Sequence, residues 1–146
     1  MSIAKLVKSL AHGDAGVTIV TCSSNAAVTA GRLATISTAA STIVPNSVAS
    51  VANAVETSTD VLGIFMNSTT GNGLEAQVLP LSAGDIINIQ YTGNAPTPGT
   101  RYGLSSGGLL AAANTTGAYA LYRVIGNVNT TTTTCDARVC GLDSLN

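Results

Sequence analysis

Apolar and polar positions alternate in short bursts along this chain, and almost every burst stops at a glycine, a proline or a Ser/Asn pair. Val17–Cys22, Leu33–Ser37, Asp60–Met66, Leu74–Leu79, Asp85–Tyr91, Arg101–Leu104, Ala118–Ile125 and Cys135–Cys140 are rich in β-branched or aromatic residues and read as strands. Leu74, Ala76 and Val78 alternate with Glu75 and Gln77, which predicts one buried and one wet face. Asp60–Met66 is nearly all apolar and predicts a strand buried on both faces, with Phe65, the one phenylalanine, in the core. Between strands the punctuation is explicit. Gly93–Gly99 holds two prolines, Asn67–Gly73 is a turn, and Ser105-Ser106-Gly107-Gly108 is a hairpin-type turn because glycine tolerates positive φ. From Ser82 to Gly126 these signals read as an antiparallel meander.

Two stretches break the pattern. Val48, Val51, Ala52 and Val55 have helical spacing behind a capping Ser47, which predicts a short helix over 47–55. Thr130–Thr134 is a threonine run that reads as an edge strand or an exposed loop. About eight or nine short strands with regular turns predict an all-β, single-domain antiparallel barrel or sandwich with extended terminal arms. The expected partition is an arm over 1–16, a β core over 17–126 and a C-terminal strand and tail over 127–146. A faint internal duplication is visible: Gly31-Arg32-Leu33-Ala34-Thr35-Ile36-Ser37 echoes Gly99-Thr100-Arg101-Tyr102-Gly103-Leu104-Ser105. Each is followed by an apolar strand with a glycine, Val61-Leu62-Gly63 and Val124-Ile125-Gly126.

Composition changes this picture in one respect. With 146 residues the chain has room for one real core but not two. Charged residues make up only 9% of it, against about 25% in ordinary domains. Such a weakly charged exterior suits a protein covered by neighbours in an assembly; a coat of Thr, Ser and Asn is the plainer reading. Net charge is −1 and the six basic residues are scattered along the sequence, which argues against nucleic acid as a direct partner. No apolar run reaches the ~18 residues of a membrane span, and the N-terminus lacks the apolar region of a secretory signal. Ile3, Leu6, Val7 and Leu10 share helical spacing, so Met1–Leu10 reads as a docking arm, one amphipathic turn or a frayed end.

Candidate chemistry is sparse. Cys22, Cys135 and Cys140 are an odd set without metal-ligand spacing, and read as buried thiols; a bridge within 135–140 or from Cys22 to one of that pair stays open. His12 and Asp14 have no G-x-S-x-G elbow to serve, the seven acids are dispersed, and neither glycine cluster opens a phosphate-binding helix. The expectation is a non-enzyme with no cofactor and no metal. Three Asn-x-Ser/Thr sequons, at Asn67, Asn114 and Asn129, read as coincidence in a threonine-rich chain. Tyr91, Tyr102, Tyr119 and Tyr122 fall in the central stretch, where tyrosine serves a core, a rim or an interface.

The lines AGDIINIQYTG, PGTRYGLSSGGLL and ALYRVIG, with the earlier AGRLATIST and DVLGIF, resemble bacteriophage capsid decoration (cement) proteins, over roughly Val17 to Gly126. The Ala39–Val55 insert and the threonine run depart from that pattern. The resemblance implies a structural virion protein, made in the host cytoplasm, that binds the outer capsid surface across seams between major capsid protein subunits. It implies a homo-oligomer, with a trimer favoured. The interface candidates are Ile3, Leu6, Val7, Tyr102, Tyr119, Thr131 and Thr132, since Met1–Leu10 and Thr130–Asn146 are expected to contact neighbours by strand pairing. A head-fibre base or tail component and a carbohydrate-binding β module are the alternatives.

Overall fold

In this computed structural model the described residues are 5–8 (backbone alone), 19–37, 43–55, 58, 61–111 and 122–140. The β-branched runs form strands: β1 Lys5–Lys8, β2 Val20–Ser24, β3 Leu33–Ile36, β4 Ser50–Asn53, β5 Val61–Phe65, β6 Glu75–Pro80, β7 Ile86–Thr92, β8 Arg101–Ser105, β9 Leu109–Ala111, β10 Tyr122–Asn129 and β11 Thr134–Val139. The fold is all-β, as the strand grammar predicts.

Strands β2 to β6 close a barrel in the order β2-β4-β3-β5-β6. Strands β7 to β11 run in the order β7-β11-β10-β8-β9, and β9 returns to β7 through Tyr91↔Leu110 and Thr92↔Ala111, so they close a second barrel. In both barrels the first and third strands are parallel and every other pairing is antiparallel. The expected meander therefore does not form. β7 and β8 follow each other in sequence but do not pair, because the intervening Gly93–Thr100, with Pro96 and Pro98, is too long and stiff for a tight hairpin. β1 adds to the sheet beside the first half of β7, at Lys5↔Asn88, Leu6↔Ile87 and Lys8↔Ile86.

The two barrels match residue for residue. Ser24↔Val51 corresponds to Tyr91↔Leu110, Cys22↔Ala76 to Ile89↔Cys135, and Ile36↔Val51 to Leu104↔Leu110. Hydrogen bonds repeat as well. Gly31 N–H donates to Phe65 O at 2.8 Å and Gly99 N–H to Val124 O at 2.7 Å; Phe65 N–H donates to Arg32 O at 2.9 Å and Val124 N–H to Thr100 O at 3.0 Å. Gly31 and Gly99 even share their left-handed backbone, φ 86° and 88°. The echo between 31–37 and 99–105 thus lies in structural register. Its second part is shifted: Phe65, not Val61, occupies the position that matches Val124, so Val61-Leu62-Gly63 and Val124-Ile125-Gly126 share strands but not register.

Each barrel has its own interior, so 146 residues hold two cores where one was expected. The first is lined by Cys22, Val28, Ala34, Val51, Phe65, Ala76 and Val78. The second takes Ile87, Ile89, Tyr91, Tyr102, Leu104, Leu110, Tyr122, Val124, Cys135 and Ala137, and this cluster also recruits Leu33, Ala54 and Ile64 from the outside of the first barrel. That shared cluster joins the barrels, each fully buried Leu or Ile contributing about 2 kcal/mol. The β8–β9 turn docks there: Leu33 N–H donates to Gly108 O at 3.0 Å, and Gly108 N–H donates to Ala54 O at 2.7 Å. Gly108 has φ +73°, and a Cβ on it would lie 2.6 Å from both the nitrogen and the oxygen of Leu33, so only glycine fits.

Four further expectations change. Residues 50–53 are strand, not helix: Val51 is buried between β2 and β3 while Val48 (66%) and Val55 (40%) are exposed, so the valines do not share a face. Leu74 is 42% exposed, although Ala76 and Val78 face inward as their alternation requires. The boundary drawn at 126/127 falls inside β10, and β11 is a central strand between β10 and β7 rather than an arm. Thr130–Thr133 is the turn joining them. The reading of the cysteines as thiols, by contrast, agrees with the structure: Cys22, Cys135 and Cys140 are all free, and the first two are buried. Residues 9–18, 38–42, 112–121 and 141–146, His12 and Asp14 among them, lie outside the described residues, and so do the expectations that rest on them.

Candidate functional site

Of the interface candidates, Ile3 and Tyr119 lie outside the described residues. Leu6 and Val7 sit on β1, which pairs within its own chain. Thr131 and Thr132 are exposed at the β10–β11 turn, where both N–H groups donate to Asn129 Oδ1, at 2.9 and 3.0 Å. Tyr102 is a core residue, 4% exposed, with its hydroxyl accepting the Thr97 N–H at 2.8 Å. Burial takes it away from any neighbouring molecule. Tyr91 and Tyr122 are also interior.

The structure brings together a set that the sequence scatters. Arg123 on β10 stands directly opposite Arg101 on β8 and Arg138 on β11. Directly opposed residues share a sheet face, so the three guanidinium groups form one row across three strands, roughly 10 Å from first to last. Arg123 and Arg138 are exposed and Arg101 is partly so; none has an ion pair among the described residues. The pairing register continues through Ile86 to the backbone of Lys8 on β1.

The duplication gives this row its meaning. The matching positions in the first barrel are Leu33, Ile64 and Leu79, themselves opposed on β3, β5 and β6. These are 0%, 0% and 6% exposed, and Leu33 and Ile64 lie in the cluster shared with the second barrel. The face that receives a barrel in the first half is apolar; the same face in the second half carries arginines and is open.

Beside the arginines the same face holds an open polar pocket of about 720 Å³, lined by Asn88, Asn127, Val128, Asn129, Thr130, Thr134 and Asp136. Asp136 is 9% exposed and accepts hydrogen bonds from Asn88 Nδ2 (2.9 Å) and Asn127 Nδ2 (2.7 Å), so its charge is held by amides and not by the arginines. At the matching site of the first barrel Gln77 Nε2 donates to Thr21 Oγ1 at 3.3 Å. Behind Asp136, burial chiefly, with that carboxylate adding, pushes the Cys135 thiol up to about 12. Burial likewise raises Cys22 and Tyr122. These thiols are poor nucleophiles at neutral pH. No cluster of three or more His, Cys, Asp or Glu with metal-binding geometry occurs among the described residues.

A second surface lies at the far side of the first barrel. β2 and β4 start at one end, where β3 finishes, since β2 and β4 are parallel and β3 is antiparallel to β4. Around that end Ile19 (47%), Ile36 (46%), Ile43 (61%) and Val48 (66%) are exposed. The equivalent end of the second barrel is the one docked through Gly108, where Leu104, the counterpart of Ile36, is 1% exposed. The sequence signal for both surfaces was present in the 31–37 and 99–105 echo, which aligns Leu33 with Arg101 and Ile36 with Leu104. No protein-family model matches the chain, and no curated protein matches it.

Proposed function

We propose that this protein is a structural component of a bacteriophage particle that binds the outer surface of the capsid and bridges shell subunits across their seams. The observation that carries this reading is the pair of unlike surfaces on one joined two-barrel unit: an apolar end on the first barrel and an arginine face on the second. A bridge needs two contacts held at a fixed separation, and the shared core cluster holds them. Each contact made only in the assembled shell stabilises that state by mass action. The weakly charged remainder of the chain, and the resemblance of its strand and turn lines to decoration proteins, support the same reading. β1, outermost in the strand order, supplies an edge for pairing with a neighbouring copy.

Quantitative mass spectrometry of purified particles tests the proposal. A copy number comparable to the major capsid protein is expected. A handful of copies per particle favours a fibre base or tail component, and absence from particles overturns the virion reading. The Asn/Asp/Thr pocket is the observation that favours a second reading, a carbohydrate-binding module. The three described tyrosines are interior, which leaves that pocket without a stacking platform among the described residues. Saturable binding on a glycan array, lost in Asp136→Ala, would move it to first place.

A further inference from the structure

We propose that the row Arg101–Arg123–Arg138 is a docking site for a carboxylate-bearing protein surface. The inference builds on the bridging reading by naming the chemistry of one contact, and its test lets the two fail separately. Like charges directly opposed on neighbouring strands destabilise a sheet. This chain places three of its six basic residues in that arrangement with no acid paired to them among the described residues. Among the described residues the acid on the same face, Asp136, is engaged by two asparagines. The arrangement is relieved when anions arrive from outside. Two of the three matching positions on the first barrel, Leu33 and Ile64, lie in the cluster where the second barrel docks in this fold, so the face has a shape that accepts a protein surface.

The charge pattern selects the occupant. A second copy of the chain offering its free barrel end would bring Ile19, Ile36, Ile43 and Val48, which give guanidinium groups no partner and leave them desolvated. A nucleic acid is disfavoured by the net charge of −1, which provides no long-range attraction for a polyanion, and by Asp136 beside the row. Arginine forks pair with carboxylates in two parallel hydrogen bonds. Acids on adjacent strands or turns of a partner, at the same ~4.8 Å spacing, would meet the row in register.

Binding of fluorescein-labelled hexaglutamate to the full chain, followed by anisotropy at low salt, tests this, with a labelled 20-base-pair DNA duplex as the phosphate probe. Hexaglutamate is expected to bind wild type, and Arg101→Gln/Arg123→Gln/Arg138→Gln to weaken it by roughly tenfold or more. The triple variant is expected to melt no lower than wild type, since opposed like charges have been removed; if it does not fold, Arg123→Gln alone, at an exposed position, carries the test. No hexaglutamate binding by wild type, equal binding by the variant, or preference for the duplex through the same arginines overturns the proposal. A chain abundant on particles whose arginine variant still decorates them would overturn this inference and leave the shell reading standing. A chain that binds hexaglutamate through the row but is absent from particles would do the reverse.

Discussion

The two barrels share strand order, parallel pair, hydrogen bonds and left-handed glycines, yet they present opposite chemistry at matching places. Leu33, Ile64 and Leu79 are buried where Arg101, Arg123 and Arg138 face outward; Leu104 is buried where Ile36 is exposed. Backbone architecture and surface chemistry are thus separable. The topology is set by turns and by the inward-facing alternate residues, while the outward residues decide what each barrel touches.

The largest effect should come from exchanging that chemistry. Ile64→Arg places an unpaired charge in the cluster between the barrels and is expected to cost about 3–5 kcal/mol. The mirror change, Arg123→Ile, at an exposed position, should stay within about 0.5 kcal/mol. Urea unfolding of both variants checks the contrast. Equal costs would mean that the two faces are not equivalent in the way the pairing register states.

Next is the glycine pair at the docked turn. Gly108→Ala must resolve both a positive φ and the 2.6 Å approach to Leu33, so a loss of roughly 3 kcal/mol is expected, with the two barrels unfolding in separate steps. Gly107→Ala has φ +81° but only Arg32 Nη1 at 3.4 Å, and should cost about 1 kcal/mol with one cooperative transition retained. Calorimetry distinguishes one transition from two.

Much of this fold was legible in the sequence because the strands are short, β-branched and bounded by glycine. β3, β5, β6, β7, β8 and β11 lie within about two residues of their expected places. Three things were not legible, each for a physical reason. Helical spacing at Val48, Val51 and Val55 carried no information because a loop and a strand of four residues give the same spacing by accident. The separation of one apparent core into two could not be read because apolar alternation says which face is inward, not which barrel it belongs to. The arginine row was missed because it is made by pairing: Arg101, Arg123 and Arg138 are neighbours only through the registers of β8, β10 and β11. The 31–37 and 99–105 echo held the one usable hint, an apolar residue aligned with a charged one.

An asymmetry between the interiors gives a pH test. Cys135 and Tyr122 both belong to the second barrel, and both are held in their neutral forms by burial. Their folded pKa values are raised, so the unfolded chain loses these protons first. For Cys135 the stabilising contribution is intact below pH 9 and is lost between about 9 and 12, at about 1.4 kcal/mol per pH unit. Cys22, raised in the same direction in the first barrel, adds to the slope. Cys135→Val should flatten the decline of stability between pH 9 and 11 while changing neutral-pH stability by less than about 1.5 kcal/mol. Hydrogen exchange at pH 9.5 should show the second barrel opening before the first; the reverse order would contradict the assignment of the steeper dependence to it.

The smallest expected effect lies at the hairpin tips. Thr133 is a β-branched residue at φ 52°, a conformation that costs such side chains about 1–2 kcal/mol. Its counterpart in register is Leu74, and there the left-handed position is taken one residue earlier by Gly73, φ 77°. The first barrel therefore turns on a residue suited to the conformation, and the second does not. Three hydrogen bonds hold Thr133 in place: its carbonyl accepts the Tyr91 N–H at 2.8 Å, and its hydroxyl accepts from Gln90 Nε2 at 3.2 Å and donates to Thr132 O at 2.7 Å. Thr133→Gly removes the strain, keeps the carbonyl bond and forfeits both bonds of the hydroxyl, so with glycine's entropic cost a net change within about 0.5 kcal/mol of zero is expected. Gly73→Thr should lose about 1–2 kcal/mol. A Thr133→Gly variant more than about 1 kcal/mol less stable than wild type in urea would show that the hydroxyl's two bonds outweigh the backbone strain, and that the tip of the second barrel is built differently from the first for a reason of its own.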